Sequence, residues 1–288
     1  MAEPATSLQF GLGYTRITGD ELVYDDGDRL SRLIWKSRVP TAQIALTHEL
    51  PQGWVLGGKL VSAVGNSGHM VDYDWIAPFN PGTGPDDWTH RSIHPATDLH
   101  RYLDLDVTLG RQVAAFGQTQ IAVHGGLKYT EASWRARGGS FVYSEDGFRD
   151  TVFEQSDSAR SIDYKQRHKA IYAGAEARHQ AGAWQFAGLL RAGVSIQPRE
   201  VDLHWQRDLR FDHKISAQPY VNVGLSGTYA IREDLSLGIE ASWQRFFERT
   251  GDARVSDIRD GRFYQTDRDG VAGELSTATV AVSLSYSF

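Results

Sequence analysis

The chain has no cysteine and only 2 methionines among its 288 residues. The first absence removes disulfides and every thiolate-based metal or redox site. There is also no run of about 18 consecutive apolar residues, so no transmembrane helix. That exclusion does not reach β-barrels, whose strands alternate lipid-facing apolar residues with lumen-facing polar ones. An excess of positive charge is lacking as well. The 30 Lys and Arg stand against 36 Asp and Glu, a net charge of −6, which excludes a basic nucleic-acid surface as the main function. No internal repeat, low-complexity tract or linker interrupts the chain, and residues 1–288 read as a single domain. The N-terminal MAEPATS has neither a charged n-region nor an apolar h-region and is read as a mature start with its signal removed. Gly138-Gly139 lacks the following Gly-Lys of a phosphate-binding loop.

What the chain does have is glycine (29), tryptophan (8) and tyrosine (12), laid out with a period of two. Val280, Val282, Leu284, Tyr286 and Phe288 share one face of the C-terminal segment, with small polar residues between them. The same alternation runs through Leu8–Tyr14, Leu103–Leu109, Ile121–Tyr129, Trp184–Leu190, Val221–Tyr229 and Leu235–Trp243. Such segments are β-strands, each of about 12 residues or more, where soluble strands average about 5–6. The count predicts an all-β fold, a transmembrane antiparallel β-barrel of about ten strands. Short turns fall near residues 51–53, 110, 180–182 and 232–234; long loops are expected at about 18–30, 67–98, 136–160, 197–213 and 248–272. Short periplasmic turns opposite long extracellular loops are the outer-membrane pattern. Mean hydropathy of −0.41 fits a barrel that averages lumen with lipid face.

Two pairs stand out, Asp72-x-Asp74 and Asp202-x-His204. A spacing of two on an extended strand stacks both side chains on one face. In the ten-strand count the pairs fall in the second and fourth outer loop regions and face each other across the barrel mouth. An Asp beside a His orients the imidazole as a general base. Two stacked carboxylates repel, so that one holds a proton near neutral pH. Water is then the attacking group, and no Ser or Cys nucleophile is needed. Either pair taken alone is more commonly a solvated wall of a wet lumen. Asp72, Asp74 and His204 also suit a metal, but the 10 histidines are scattered.

The stretches GHMVDYDW (68–75), FNPGTG (79–84), His94-Pro95, ARGGSFVYSEDGFRD (136–150), YKQRHK (164–169) and VDLHW (201–205) resemble the omptins, outer-membrane aspartate/histidine endoproteases of Gram-negative bacteria. The resemblance implies that Asp72, Asp74, Asp202 and His204 are catalytic, with water activated by His204, no covalent intermediate, no metal and no cofactor for the chemistry. It implies an acidic pocket of Glu21 and Glu200 that takes Arg or Lys of peptide and protein substrates, while Asp20, Asp25, Asp26, Asp86 and Asp87 are read as solvated loop charges. It further implies that lipopolysaccharide is required for activity and is bound through Tyr129, Glu131 and Arg167. There the chain departs from the family, because Ser133 stands where an arginine is expected; Arg135 and Lys214 are substitutes. The expectation is a monomeric barrel in the outer membrane, its site facing the exterior, that interacts with outer-membrane lipid and not with nucleic acid. The alternative is a catalytically idle barrel acting as an adhesin.

Overall fold

A computed structural model describes residues 6–82 and 84–288. The chain runs as thirteen strands: β1 (Thr6–Asp25), β2 (Asp28–Leu50), β3 (Trp54–Ala63), β4 (Ser67–Asp74), β5 (His90–Phe116), β6 (Thr119–Tyr143), β7 (Thr151–Ala181), β8 (Trp184–Ser195), β9 (Arg199–His204), β10 (Leu209–Ile215), β11 (Gln218–Arg232), β12 (Leu235–Asp257) and β13 (Phe263–Ser287). All pair antiparallel in one closed sheet. Interruptions at 64–66, 196–198 and 216–217 split three long strands into β3/β4, β8/β9 and β10/β11, so the ring has ten positions. Pairing of β1 with both β2 and β13 closes it and leaves no free edge.

The alternation read in the sequence faces lipid with its apolar half. Phe10, Leu12, Tyr14, Leu105, Val107, Leu109, Val280, Val282 and Leu284 are all exposed on the outer wall. Their antiphase neighbours Asp104 and Asp106 are buried in the lumen. The apolar belt stops abruptly. Next above Tyr14 on its face comes Arg16, paired with Arg38, and arginines at 101, 167 and 245 follow apolar residues on the outward faces of β5, β7 and β12. This arginine ring marks where the outer membrane edge is expected.

One expectation fails. The segments read as long loops are mostly strand. The outer connections are only 26–27, 75–89, 144–150, 205–208 and 258–262, against 51–53, 117–118, 182–183 and 233–234 at the other end. Strands reach 31 residues in β7 and carry the sheet well above the arginine ring. Above that edge both faces of the sheet meet water, so polar residues occupy both and the apolar period disappears while the pairing continues. At the first outer turn Asp26 and Gly27 both have positive φ, 49° and 90°. A two-residue hairpin turn needs that backbone, and Asp-Gly adopts it readily.

The barrel is filled at mid-height. Trp35, Trp134 and Tyr164 stack on one another with centroids 5.5–6.3 Å apart, all at most 1 % exposed. His168 lies on Phe246 at 4.3 Å, and Tyr220 packs beside it. Below this aromatic floor is a lumenal cavity of about 580 Å³. Its charges are internally matched: Lys128 to Asp104 (2.6 Å), Lys59 to Glu240 (2.5 Å) and Arg191 to Asp106 (3.1 Å). The floor fills the bore between that cavity and the outer mouth.

Candidate active site

Above the floor, inward-facing positions of seven strands, β1, β2, β4, β6, β7, β9 and β10, converge. Parity decides which side chains take part. On β4, Met70 is wholly buried in the core, so Asp72 and Asp74, two and four residues on, point inward above it. On β9, Glu200 and Asp202 are 1 % and 2 % exposed, and His204 follows on the same face. Glu21 lies inward on β1, five residues past the arginine ring, at 1 % exposure. The pairs therefore sit on strand extensions of the wall, not in loops. β4 and β9 are four ring positions apart, which turns the two stacks toward each other.

The dyad is formed. His204 Nε2 donates to Asp202 Oδ2 at 2.5 Å. The other ring nitrogen, Nδ1, accepts from Arg207 Nη2 in the turn at 205–208. Phe211 flanks the ring edge-on at 5.2 Å. Opposite, Ser31 Oγ donates to Asp72 Oδ1 at 3.1 Å.

These groups lie above the membrane edge and feel one another. Burial pushes Asp72 well above the ordinary carboxylate range, and the charge of Asp74 adds to it. Ser31 and Arg207 oppose the rise, while Asp202 across the cleft reinforces it. Asp74 is also raised by burial, and Ser31, His90, Arg207 and His204 hold it down. A carboxyl raised by burial and by a neighbouring carboxylate favours its protonated form. Tyr143, at the outer end of β6, is pushed up to about 12 by burial and then by Asp72 and Asp74, so its phenol stays a donor beside the pair. The donor set is oxygen-rich, yet among the described residues no group of three or more His, Asp or Glu is placed to hold a metal ion.

The pocket carboxylates adjoin the dyad. Glu200 Oε2 accepts from Tyr164 Oη at 2.8 Å, and Gln166 Nε2 donates to the same phenol at 2.8 Å. Glu21 is raised by burial first and then by Asp202, Glu200 and Asp72. A third group sits between them: His213 of β10, with Nδ1 3.4 Å from Glu200 and 3.7 Å from Glu21. Of the acids read as solvated loop charges, Asp20 is a correction. It is 8 % exposed and paired with Arg32 at 2.7 Å on the outer wall, because β1 continues through it.

Tyr129, Glu131 and Arg167 also come together, on the outer wall at the arginine ring. Glu131 accepts from Tyr129 Oη at 2.6 Å and from Arg167 Nε at 3.2 Å. Arg101 lies 3.5 Å from the same carboxylate. Its register partner is Ser133, so the neighbouring strand supplies a cation beside the position where the sequence lacks one.

A closed ring with an apolar outer wall and a filled bore, carrying a cleft of carboxylates and one imidazole at its outer end, defines a β-barrel of the outer-membrane type. The Omptin family model matches residues 3–288, and the chain belongs to the omptin family. It is 28 % identical to the outer membrane protease OmpP of Escherichia coli, over 98 % of this chain and 90 % of that protein. With the plasminogen activator of Yersinia pestis it shares 24 % identity over 93 % of this chain and 85 % of that one. The crystal structure of the outer membrane protease OmpT from Escherichia coli superposes with a TM-score of 0.90 at 24 % identity, covering 99 % of this chain and 97 % of that one. The protein is thus an omptin-type barrel of the outer membrane, its cleft facing the cell exterior.

Sequence reasoning missed Tyr143, Tyr164, His213, Arg101 and Arg207. Cross-strand register reveals the first four, whereas Arg207 lies in the turn that follows His204; one register was within reach. With the turn at 205–208, His204 opposes Leu209, and counting back pairs Glu200 with His213.

Proposed function

We propose that this protein is an endopeptidase that cleaves exposed polypeptides at Arg or Lys by direct attack of water. The observation that carries the reading is the His204–Asp202 hydrogen bond facing the Asp72–Asp74 pair in one buried cleft. Asp202 accepts the Nε2 proton and leaves Nδ1 as the basic nitrogen. Water takes the place of the Arg207 guanidinium at Nδ1, gives its proton to His204 and attacks the carbonyl carbon. The protonated member of the aspartate pair, with the Tyr143 phenol, donates to the developing oxyanion. Collapse expels the amine, which receives the proton from His204. Glu21 and Glu200 bind the basic side chain before the cut bond, as buried carboxylates bind guanidinium or ammonium.

Lipopolysaccharide is the proposed activator. Support comes from the Glu131 cluster, where Arg101 and Arg167 are about half exposed at the membrane edge and Glu131 holds them in place. The test is cleavage of a short Arg-Arg peptide by the refolded protein with and without lipopolysaccharide. Cleavage that depends on the lipid supports both parts; full activity without it removes the activator. No cleavage in either condition favours the idle barrel. Arg101→Ala and Arg167→Ala together should raise the lipopolysaccharide concentration for half-maximal activity by about tenfold or more, since each loses a charge-assisted contact.

A further expectation concerns Gly273 on β13. A Cβ there would stand 1.9 Å from Glu200 Oε1. Glu200 cannot retreat without breaking its bonds to Tyr164 and His213, so Gly273→Ala should raise KM for basic peptides by about tenfold, in line with an overpacking cost of about 1–3 kcal/mol. Steady-state kinetics on the folded variant decides it; an unchanged KM would show that Glu200 does not contact substrate.

A further inference from the structure

His213 has no part in the catalytic scheme, yet it is one of the most buried histidines in the chain, at 2 % exposure. Its side chain lies between the two acidic groups of the proposed basic pocket. Nδ1 is 3.4 Å from Glu200 Oε2 and 3.7 Å from Glu21 Oε1. Both carboxylates are themselves buried. Glu200 Oε1 has no hydrogen-bond partner among the described residues and is packed against Gly273 of β13. Its other oxygen is shared by Tyr164 and His213. The other charged groups that reach this pair are Asp202 and Asp72, both of which act on Glu21. β12 presents Ala253 opposite His213, β13 presents Gly273 at Glu200, and Phe211 lies at the ring edge. Asp202 follows Glu200 on the same face of β9, while Asp212, adjacent in β10, points to the outer wall and pairs with Arg210 at 2.6 Å.

We propose that His213 is a specificity-determining residue: it sits where it shares the pocket carboxylates with the substrate's basic side chain, and its charge state decides how well that side chain is received. The inference rests on the basic-pocket reading given above. A neutral imidazole leaves the negative charge of the pocket to the incoming cation. A protonated imidazole already neutralises part of that charge and places a like charge beside the guanidinium in a buried site, where like charges repel strongly. Binding of a basic side chain and binding of a proton at His213 therefore oppose each other. Linkage makes the antagonism reciprocal. The preference for a basic residue should therefore weaken as the medium acidifies. A neutral side chain of the same shape should not feel the change.

The test separates recognition from chemistry by measuring binding alone. A peptide with a reduced, uncleavable scissile amide and Arg before it is compared with its citrulline counterpart, which has nearly the same shape and no charge. Inhibition constants are measured on the full-length refolded protein with lipopolysaccharide, from about pH 5.5 to about 8. In the wild type the Arg-over-citrulline ratio should fall about tenfold on acidification. In His213→Asn and His213→Gln the fall should be smaller, leaving only the part that Glu21 contributes, and the ratio should exceed the wild-type ratio at the acid end. Unchanged slopes in both variants overturn the inference. A measurement free of these variants is proton release on inhibitor binding, by calorimetry in buffers of different ionisation enthalpy. The Arg peptide should release a proton that the citrulline peptide does not, and should still do so in Glu21→Gln, which removes the neighbouring acid able to give one. Absence of that release also overturns it. If the wild type shows no Arg preference at about pH 8, the basic pocket itself fails. If the preference is present but indifferent to His213, only this inference does.

Discussion

On the proposed mechanism, His204→Ala should lower kcat/KM for an Arg-Arg peptide by about 10³–10⁴-fold, the range spanned by loss of a positioned general base and of the charge it stabilises. Asp202→Asn has an effect of similar size, because Asp202 accepts the Nε2 proton at 2.5 Å and an amide there would offer a donor to a donor or turn the ring over. The two effects are not additive. Once the imidazole is gone, Asp202 has nothing left to orient, so the double variant should be no slower than His204→Ala within error. Additive losses in that double-mutant cycle would mean that Asp202 acts on the substrate directly. Full activity in His204→Ala would remove the mechanism.

The facing pair gives a result of opposite sign in stability. Asp72 is raised by burial and by Asp74, so the folded protein holds a proton that the unfolded chain releases more readily. Below the ordinary carboxylate range both states are protonated and the group costs nothing. As pH rises through that range the unfolded chain loses its proton first, and unfolding is favoured until the folded carboxyl also ionises. Asp72→Asn removes this cost. The variant should resist urea better than wild type at neutral pH, with the difference shrinking toward acid pH, while peptide cleavage falls by about 10²-fold or more. The same substitution thus stabilises the barrel and disables the site, the trade expected where strained electrostatics serve a reaction. Equal urea midpoints at neutral and acid pH would argue that Asp72 is not held in the raised state.

The barrel was legible because lipid imposes a rule on every strand that crosses it. Phe10, Leu12 and Tyr14 must face out, and Asp104 and Asp106 must then face in. Parity alone also put Asp72 beside Asp74 and Asp202 beside His204. Lost to sequence was everything that depends on the sheet above the membrane. Asp20 and Glu21 are neighbours with opposite fates: one pairs with Arg32 on the outer wall and the other is sealed in the pocket. Both are acidic, and with water on both sides of that sheet extension no apolar period distinguishes them. Charge density there read as loop, although the backbone pairing of β1 with β2 and β13 continues through it. His213 and Arg101 were hidden for a related reason, since each owes its meaning to a partner on the adjoining strand and not to a neighbour in sequence.

Neutralising the pocket acids should produce the other large effect. Glu21→Gln and Glu200→Gln keep the shape and remove the charge, and each should reduce kcat/KM for Arg peptides by about 10²–10³-fold, the range for breaking a buried charge pair. Cleavage of a citrulline analogue, already poor, should change little, so the loss is one of selectivity. The two positions are not equivalent. Glu200 is fixed by Tyr164 at 2.8 Å and by His213, which makes it the anchoring carboxylate. Glu21 is raised by burial and by three neighbouring acids, so an incoming guanidinium must displace its proton before using its full charge. The Glu21 contribution should therefore grow with pH, and the Glu21→Gln penalty should be smaller at acid pH than at alkaline pH. Tyr164→Phe separates the anchor from the charge: it leaves Glu200 in place, removes one hydrogen bond, and should raise KM without altering the order of preference among basic, neutral and acidic residues before the cut. An inverted or abolished preference in that variant would mean that Tyr164, and not the carboxylate it holds, contacts the substrate.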